Sequence, residues 1–166
     1  MVVTLNRFAR LRNLVRESWS NVDVALKRRH DLIPNLVNVV KKYADYERDL
    51  LERIVRIRNE SDLRNADVRR ISRDESELSG LIGNVIARAE AYPDIKASSH
   101  FLELQRELTN TEDRIAAARR FYNGNVRDYR IALQTLPSSI LAGGATAPEF
   151  FEIEFAERQH PLPART

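Results

Sequence analysis

From Phe101 to Leu136 a mostly apolar stripe recurs in steps of three and four without a break: Phe101, Leu104, Leu108, Thr111, Ile115, Ala118, Tyr122, Asn125, Tyr129, Ala132 and Leu136. That alternation places them on one face of a helix and is the seam of coiled-coil-like packing. Ser98 or Ser99 can cap the helix and Pro137 stops it. About 39 residues at 1.5 Å each give a rod near 58 Å. A compact globule of this length would have a radius of gyration of about 15 Å, so the chain must fold as an elongated body. Polar Thr111 and Asn125 at seam positions are expected to fix register at some cost in stability.

The rest of the chain follows the same period. Leu5, Phe8, Leu11, Val15, Trp19, Val22 and Leu26 share one face, and neither Gly nor Pro interrupts residues 1–33. Lys27-Arg28-Arg29-His30 then sits where a helix end would favour cations. Because proline is tolerated in a first turn and not in an interior one, a tight turn is predicted at 30–33, with a second helix from Pro34 to about Asn59. That helix carries Leu36, Val37, Val40, Tyr43, Ala44, Leu50, Leu51, Ile54 and Val55 on one stripe. Residues 60–74 are polar and weakly periodic, the best loop candidate. A third stripe of Leu78, Leu81, Ile82, Val85, Ile86, Ala89 and Tyr92 ends at Pro93. Gly80 and Gly83 lie inside it and suggest close helix packing. After Pro137 comes a small, Gly-bearing loop. Phe151, Ile153 and Phe155 then alternate with Glu152 and Glu154, which suits an extended piece, while Pro148 followed by Glu149 also suits a short helix. In either form Phe150, Phe151, Ile153 and Phe155 should dock on the helices. The expected fold is all-α: an elongated antiparallel up-and-down four-helix bundle over residues 1–159 with a short docked C-terminal segment, and a frayed tail at 160–166.

Composition narrows the chemistry. The 166 residues contain no Cys, which excludes disulfides, thiolate metal sites and a Cys nucleophile. No apolar run reaches the roughly 18–20 residues of a membrane helix, and no signal-peptide core is present. The net charge of +3 is uneven: residues 1–30 carry +5, residues 31–146 are neutral and residues 147–166 carry −2. Bundle di-iron sites need two Glu-x-x-His motifs, and the sequence does not supply two, so no metal site and no cofactor are expected. Neither Gly-x-Ser-x-Gly nor a phosphate-binding glycine loop occurs. The cluster Lys27, Arg28, Arg29 and His30 could bind phosphate, lipid head groups or an acidic partner, or could simply complement a helix C-terminus and pair with Asp23 or Asp31. Nucleic acid is not expected as a partner, because one basic cluster is not a basic stripe and stacking platforms are absent. Asn21, Glu47, Gln105, Asn110 and Arg114 lie on or beside the apolar stripes. They could form an inner polar network around a pocket, although register-setting hydrogen bonds and flanking salt bridges explain them more economically.

The stretch Asn13-Leu14-Val15-Arg16-Glu17-Ser18-Trp19-Ser20-Asn21-Val22-Asp23-Val24-Ala25-Leu26-Lys27-Arg28-Arg29-His30-Asp31-Leu32-Ile33-Pro34-Asn35-Leu36-Val37 closely resembles the signature of the LemA family. So do Tyr92-Pro93-Asp94-Ile95-Lys96-Ala97, Phe101-Leu102-Glu103-Leu104-Gln105-Arg106-Glu107-Leu108 and Thr111-Glu112-Asp113-Arg114-Ile115-Ala116-Ala117-Ala118-Arg119-Arg120-Phe121-Tyr122-Asn123, and the ending with Phe150-Phe151-Glu152 and Glu157-Arg158. The resemblance covers nearly the whole chain. It implies a four-helix bundle and a bacterial protein anchored by one N-terminal membrane helix, with no established enzymatic activity; some relatives belong to magnetosome membranes. Only six residues precede Arg7, so the sequence is expected to be the soluble part, membrane-associated if an anchor lies upstream. Asp113 stands where the family usually has Asn, and the tail after Pro161 departs from the usual apolar ending.

Together these readings predict a non-enzymatic, membrane-linked interaction or scaffold domain with a protein partner engaged through Lys27–His30. The alternatives are a small-molecule- or metal-binding enzyme in the bundle core around Arg114, Glu47 and His100, or a peripheral protein binding anionic lipid through its basic first helix.

Overall fold

The computed structural model describes residues 2–43, 47–135 and 145–153. Within them the protein is all-α: α1 spans Val2–Lys41, α2 Arg48–Glu60, α3 Val68–Ala89, α4 Pro93–Lys96 and α5 Ser99–Gln134. Four of these are substantial helices, and α4 is a single turn. The helices alternate in direction. Arg58 of α2 reaches back to His30 of α1, and Glu47 and Arg53 of α2 meet Arg88 and Glu77 of α3. The dominant packing is α5 against the length of α1. Phe8 packs at a tilt against Tyr129 at 5.0 Å and Trp19 against Tyr122 at 5.1 Å, an antiparallel register. The expected antiparallel helical bundle is therefore present.

One boundary differs. The predicted turn at 30–33 is helical, and α1 continues through Pro34 to Lys41. Pro34 supplies no N–H to the carbonyl four residues back, which belongs to His30. Arg58 Nε donates to that carbonyl at 2.8 Å. A neighbouring helix thus satisfies the group that proline orphans, and the stripe Leu32, Ile33, Leu36, Val37 and Val40 stays buried across the proline. The actual break comes near Tyr43, which was placed on the buried stripe but is 45% exposed. Ala44 lies outside the described residues.

The remaining boundaries follow local chemistry. The loop predicted at 60–74 is shorter, because Asp67 caps α3 by accepting from Arg70 N at 2.7 Å. Pro93, expected only to end a helix, also begins one, at the first position of α4. Ser98 caps α5, accepting from Phe101 N. Gly80 was expected to permit close packing, but a Cβ there would meet nothing within 4 Å.

Residues 145–153 contain no helix, so the alternation at 151–153 reports an extended segment. It lies between α3 and α5, and their side chains bond its backbone. Asn123 accepts from Phe151 N and donates to Phe151 O, both at 2.9 Å; Ser72 Oγ accepts from Glu152 N at 3.2 Å. The Tyr122 hydroxyl donates to Glu149 O at 3.0 Å. Phe151 and Ile153 are buried and Phe150 half-buried, while Phe155 and the tail at 160–166 lie outside the described residues.

The apolar side chains form two separate cores. The upper one gathers Leu32–Val40 of α1 with Leu51 and Ile54 of α2, Leu78–Ala89 of α3 and Phe101–Leu108 of α5. The lower one gathers Val15–Leu26 of α1 with Ile71, Ile115–Tyr129 of α5, Phe151 and Ile153.

Candidate functional site

Three helices change core at the same level, and each places a charged residue there. On α1 the stripe Val22, Leu26, Ile33, Leu36 is interrupted by Arg29. On α3 the stripe Ile71, Leu78, Ile82, Val85 is interrupted by Glu75. On α5, Glu112 falls between Leu108 and Ile115. Packing the stripes together forces these side chains into the interior. Arg29 and Glu75 are both completely buried.

The result is a cross-braced ionic layer. The Arg29 guanidinium bonds the Glu75 carboxylate, the Ser79 hydroxyl, Glu112 Oε1 at 2.7 Å and the Glu75 carbonyl at 3.1 Å. His30 Nε2 lies 2.6 Å from Glu75 Oε1, which also accepts from the Ser61 hydroxyl at 3.1 Å. Ser79 also donates to Glu112 Oε2 at 3.3 Å. Arg29 Nε faces no acceptor among the described residues. Burial disfavours ionised Glu75, but the His30 contact and the Arg29 charge outweigh it and hold its pKa below the ordinary carboxylate value. Burial likewise disfavours the Arg29 cation, and Glu75 and Glu112 more than compensate, so its pKa is raised. Every charge in the layer is answered by another, which makes it a brace. Removing one partner of such a pair costs about 3–5 kcal/mol, because the other is left buried and uncompensated.

The basic cluster therefore does not act as one surface. Lys27 is exposed and pairs with Asp23 at 2.5 Å; Arg28 is exposed and pairs with Glu107 at 2.7 Å. Arg29 faces inward, and His30 is only partly accessible. Successive helical residues are turned by about 100°, so four in a row point all round the helix and one cluster in sequence spans inside and outside.

The expected inner polar network does not form. Asn21, Asn110 and Arg114 are exposed, and Gln105 is half-buried. Glu47 lies at the far end of α2, paired with Arg88 at 2.6 Å. The positions beside an apolar stripe face solvent once the helices pack at two faces only. At the seam itself, Thr111 is buried but bonds the Glu107 carbonyl of its own helix, whereas Asn125 reaches across to Leu14 O at 3.3 Å. Of the two, Asn125 can set register between α1 and α5. Glu75 and Glu112 were not singled out from the sequence. The available signal was a carboxylate at a stripe position, four residues after Ile71 and three before Leu78.

His100 is exposed and borders a hollow of about 360 Å³ with Glu103, Glu107 and Asn35. It is fourteen residues from Arg114 on α5, about 21 Å along the axis. No group of three or more His, Asp or Glu side chains able to hold a metal occurs among the described residues. Nor is any described helix long and apolar enough to cross a membrane.

The chain is similar in sequence to several known proteins. Protein LemA of Metamycoplasma hominis is 29% identical over 139 residues, covering 82% of this chain and 63% of that protein. Magnetosome protein MamQ of Magnetospirillum gryphiswaldense is 21% identical, covering 86% of this chain and 61% of its own. Magnetosome protein MamQ 2 of Paramagnetospirillum magneticum is 22% identical, covering 92% and 66%. The chain thus spans less than two thirds of the length of these relatives. Residues 18–162 match the LemA family over the two cores, the ionic layer and the docked segment, and the chain belongs to that family.

Proposed function

We propose that this chain is a non-catalytic interaction or scaffold domain of a membrane-associated protein, and that it meets a protein partner through the outer face of α1. The observation that carries the reading is a mixed face: Val24 is 66% exposed, with Lys27 and Arg28 three and four residues on, hence beside it. Both cations are held only by solvent-exposed ion pairs, worth about 0–1 kcal/mol each. A partner's carboxylates can displace Asp23 and Glu107 at little cost. The ionisable groups best suited to chemistry, Glu75 and His30, are committed to Arg29 and Ser61 in the interior. The family name carries no reaction, and the magnetosome names of two relatives support a setting at a membrane. An enzyme built around Arg114, Glu47 and His100 has less support, since Arg114 lies about 21 Å along α5 from His100 and Glu47 is committed to Arg88.

The test is charge reversal at Lys27 and Arg28 in the full-length protein of the native host; Arg29 is spared because its reversal would break the brace. Chemical crosslinking followed by mass spectrometry should recover a partner from cells with the wild-type protein and lose it with Lys27→Glu/Arg28→Glu, at unchanged melting temperature. Undiminished crosslinks to that partner would rule out this face.

A further inference from the structure

A second feature of the surface lies on the opposite pair of elements and is unrelated to the α1 face. Between the first turns of α3 and residues 119–127 of α5 runs a groove of about 1150 Å³. Arg69 and Arg73 line it from α3; Arg119, Arg120 and Arg127 line it from α5. The helical spacing explains the convergence: 69 and 73 are one turn apart, and 120 and 127 are two turns apart, so each set shares a face. The extended segment forms the floor and contributes Glu149 and Glu152.

Five guanidiniums against two carboxylates leave a local excess of three positive charges, equal to the whole chain's net charge. The arginines are not equivalent. Arg69 pairs with Glu149 at 3.1 Å, and Arg119 donates to Ile153 O at 3.3 Å, so these two hold the floor in place. Arg73, Arg120 and Arg127 are exposed and make no ion pair among the described residues. Like charges facing one another across a groove are unfavourable unless an anion joins them. A guanidinium presents a planar fork that matches phosphate oxygens two at a time. A single carboxylate could answer only one of the three forks. A compact ligand with several phosphates could answer all three.

We propose that this groove is a binding site for a small ligand carrying two or more phosphate groups, held by Arg73, Arg120 and Arg127 with Arg69 and Arg119 fixing the floor. The phosphates can belong to a soluble polyphosphate or to a phosphorylated lipid headgroup, and the recognition chemistry is the same.

The experiment uses the whole chain and two probes. Calorimetric titration with inorganic tripolyphosphate in 0.1 M salt tests the soluble source. Sedimentation with vesicles containing phosphatidylinositol bisphosphate, against phosphatidylserine vesicles of equal surface charge, tests the lipid source. Arg120→Gln/Arg127→Gln removes two forks from exposed positions, and Arg48→Gln/Arg56→Gln on α2 removes the same charge elsewhere. Site binding predicts saturable 1:1 binding to at least one probe. It should weaken by about tenfold or more per lost fork in the groove variant and less than twofold in the α2 variant. Tripolyphosphate binding assigns a soluble ligand; selective binding to the phosphoinositide vesicles alone assigns a headgroup. Equal weakening by both variants, equal binding to both vesicle types without tripolyphosphate binding, or no binding to either probe would overturn the proposal.

Discussion

The upper and lower halves of the bundle solve the same packing problem with different side chains. Above the ionic layer α1, α2, α3 and α5, with Ile95 of the single-turn α4, surround the core, and Leu, Ile and Val fill it almost alone. Below it the long helices α1 and α5 lie together with only the first turns of α3, and the space is filled by Trp19, Tyr122, Tyr129, Phe8 and Phe151. Trp19 meets Phe151 edge-on at 5.5 Å as well as packing at a tilt against Tyr122. Fewer elements leave more surface to cover per residue. Aromatic rings, which bury roughly 150–250 Å² each, cover it. The docked segment acts as the missing fourth wall. Its backbone cannot pair with a helix, so Asn123, Ser72 and Tyr122 supply the hydrogen bonds that a neighbouring strand would.

The largest effect should come from the layer joining the halves. Arg29→Met strands Glu75 in the interior and should lower stability by about 3–5 kcal/mol in urea unfolding. Arg29→Met/Glu75→Leu should recover most of that loss, giving a large coupling energy in a double-mutant cycle. If the single and double variants are equally unstable, the layer is not a mutually compensated brace.

Phe151→Ala should cost about 3 kcal/mol. It should act on one half only: hydrogen exchange should quicken at residues 15–26 and 115–129 while 32–40 and 78–89 stay protected. Uniform acceleration would mean that the two cores form a single cooperative unit.

Acid should attack the same seam. Glu75 has a folded pKa below its unfolded value of about 4.5, so its ionisation stabilises the fold fully above that pH. The contribution fades as pH falls below it and is gone once pH passes the folded pKa. The acid limb of stability against pH should therefore be shallower in Glu75→Gln than in wild type. Alkali addresses the lower core alone. Burial pushes the Tyr122 hydroxyl up to about 12, so stability should decline from pH 10 to 12, and Tyr122→Phe should remove that decline.

Arg58→Ala leaves the His30 carbonyl without its donor and should cost about 1–3 kcal/mol. In a Pro34→Ala background the helix supplies its own N–H, and the same change should cost less than 1 kcal/mol. Equal costs in the two backgrounds would break the link between α2 and the proline. The smallest effect is expected at the surface: Lys27→Ala removes an exposed pair with Asp23 and should shift stability by about 0.5 kcal/mol or less.

Much of the fold was legible because long helices leave a period in the sequence. The α5 stripe is the clearest case: Phe101, Leu104, Leu108, Thr111, Ile115, Tyr122, Tyr129 and Ala132 are all buried as their spacing implies. The proline was misread because the sequence shows only what Pro34 removes locally. What compensates for it comes from Arg58, twenty-four residues away. The candidate site was less legible for a related reason. A charge at a stripe position, such as Arg29 or Glu75, looks like an interruption until its counter-charge is known.

The sequence by itself determined the helical period and narrowed the cap of α5 to Ser98 or Ser99, because each depends on neighbours within a few residues; the cap at Asp67 and the extended form of 151–153 came from the structure. Only the tertiary structure decided which of four adjacent basic residues is buried, that Glu75 is its partner, and that five arginines from two helices share a groove. Those outcomes depend on which faces of distant helices meet, and hydrophobic burial settles that for the chain as a whole.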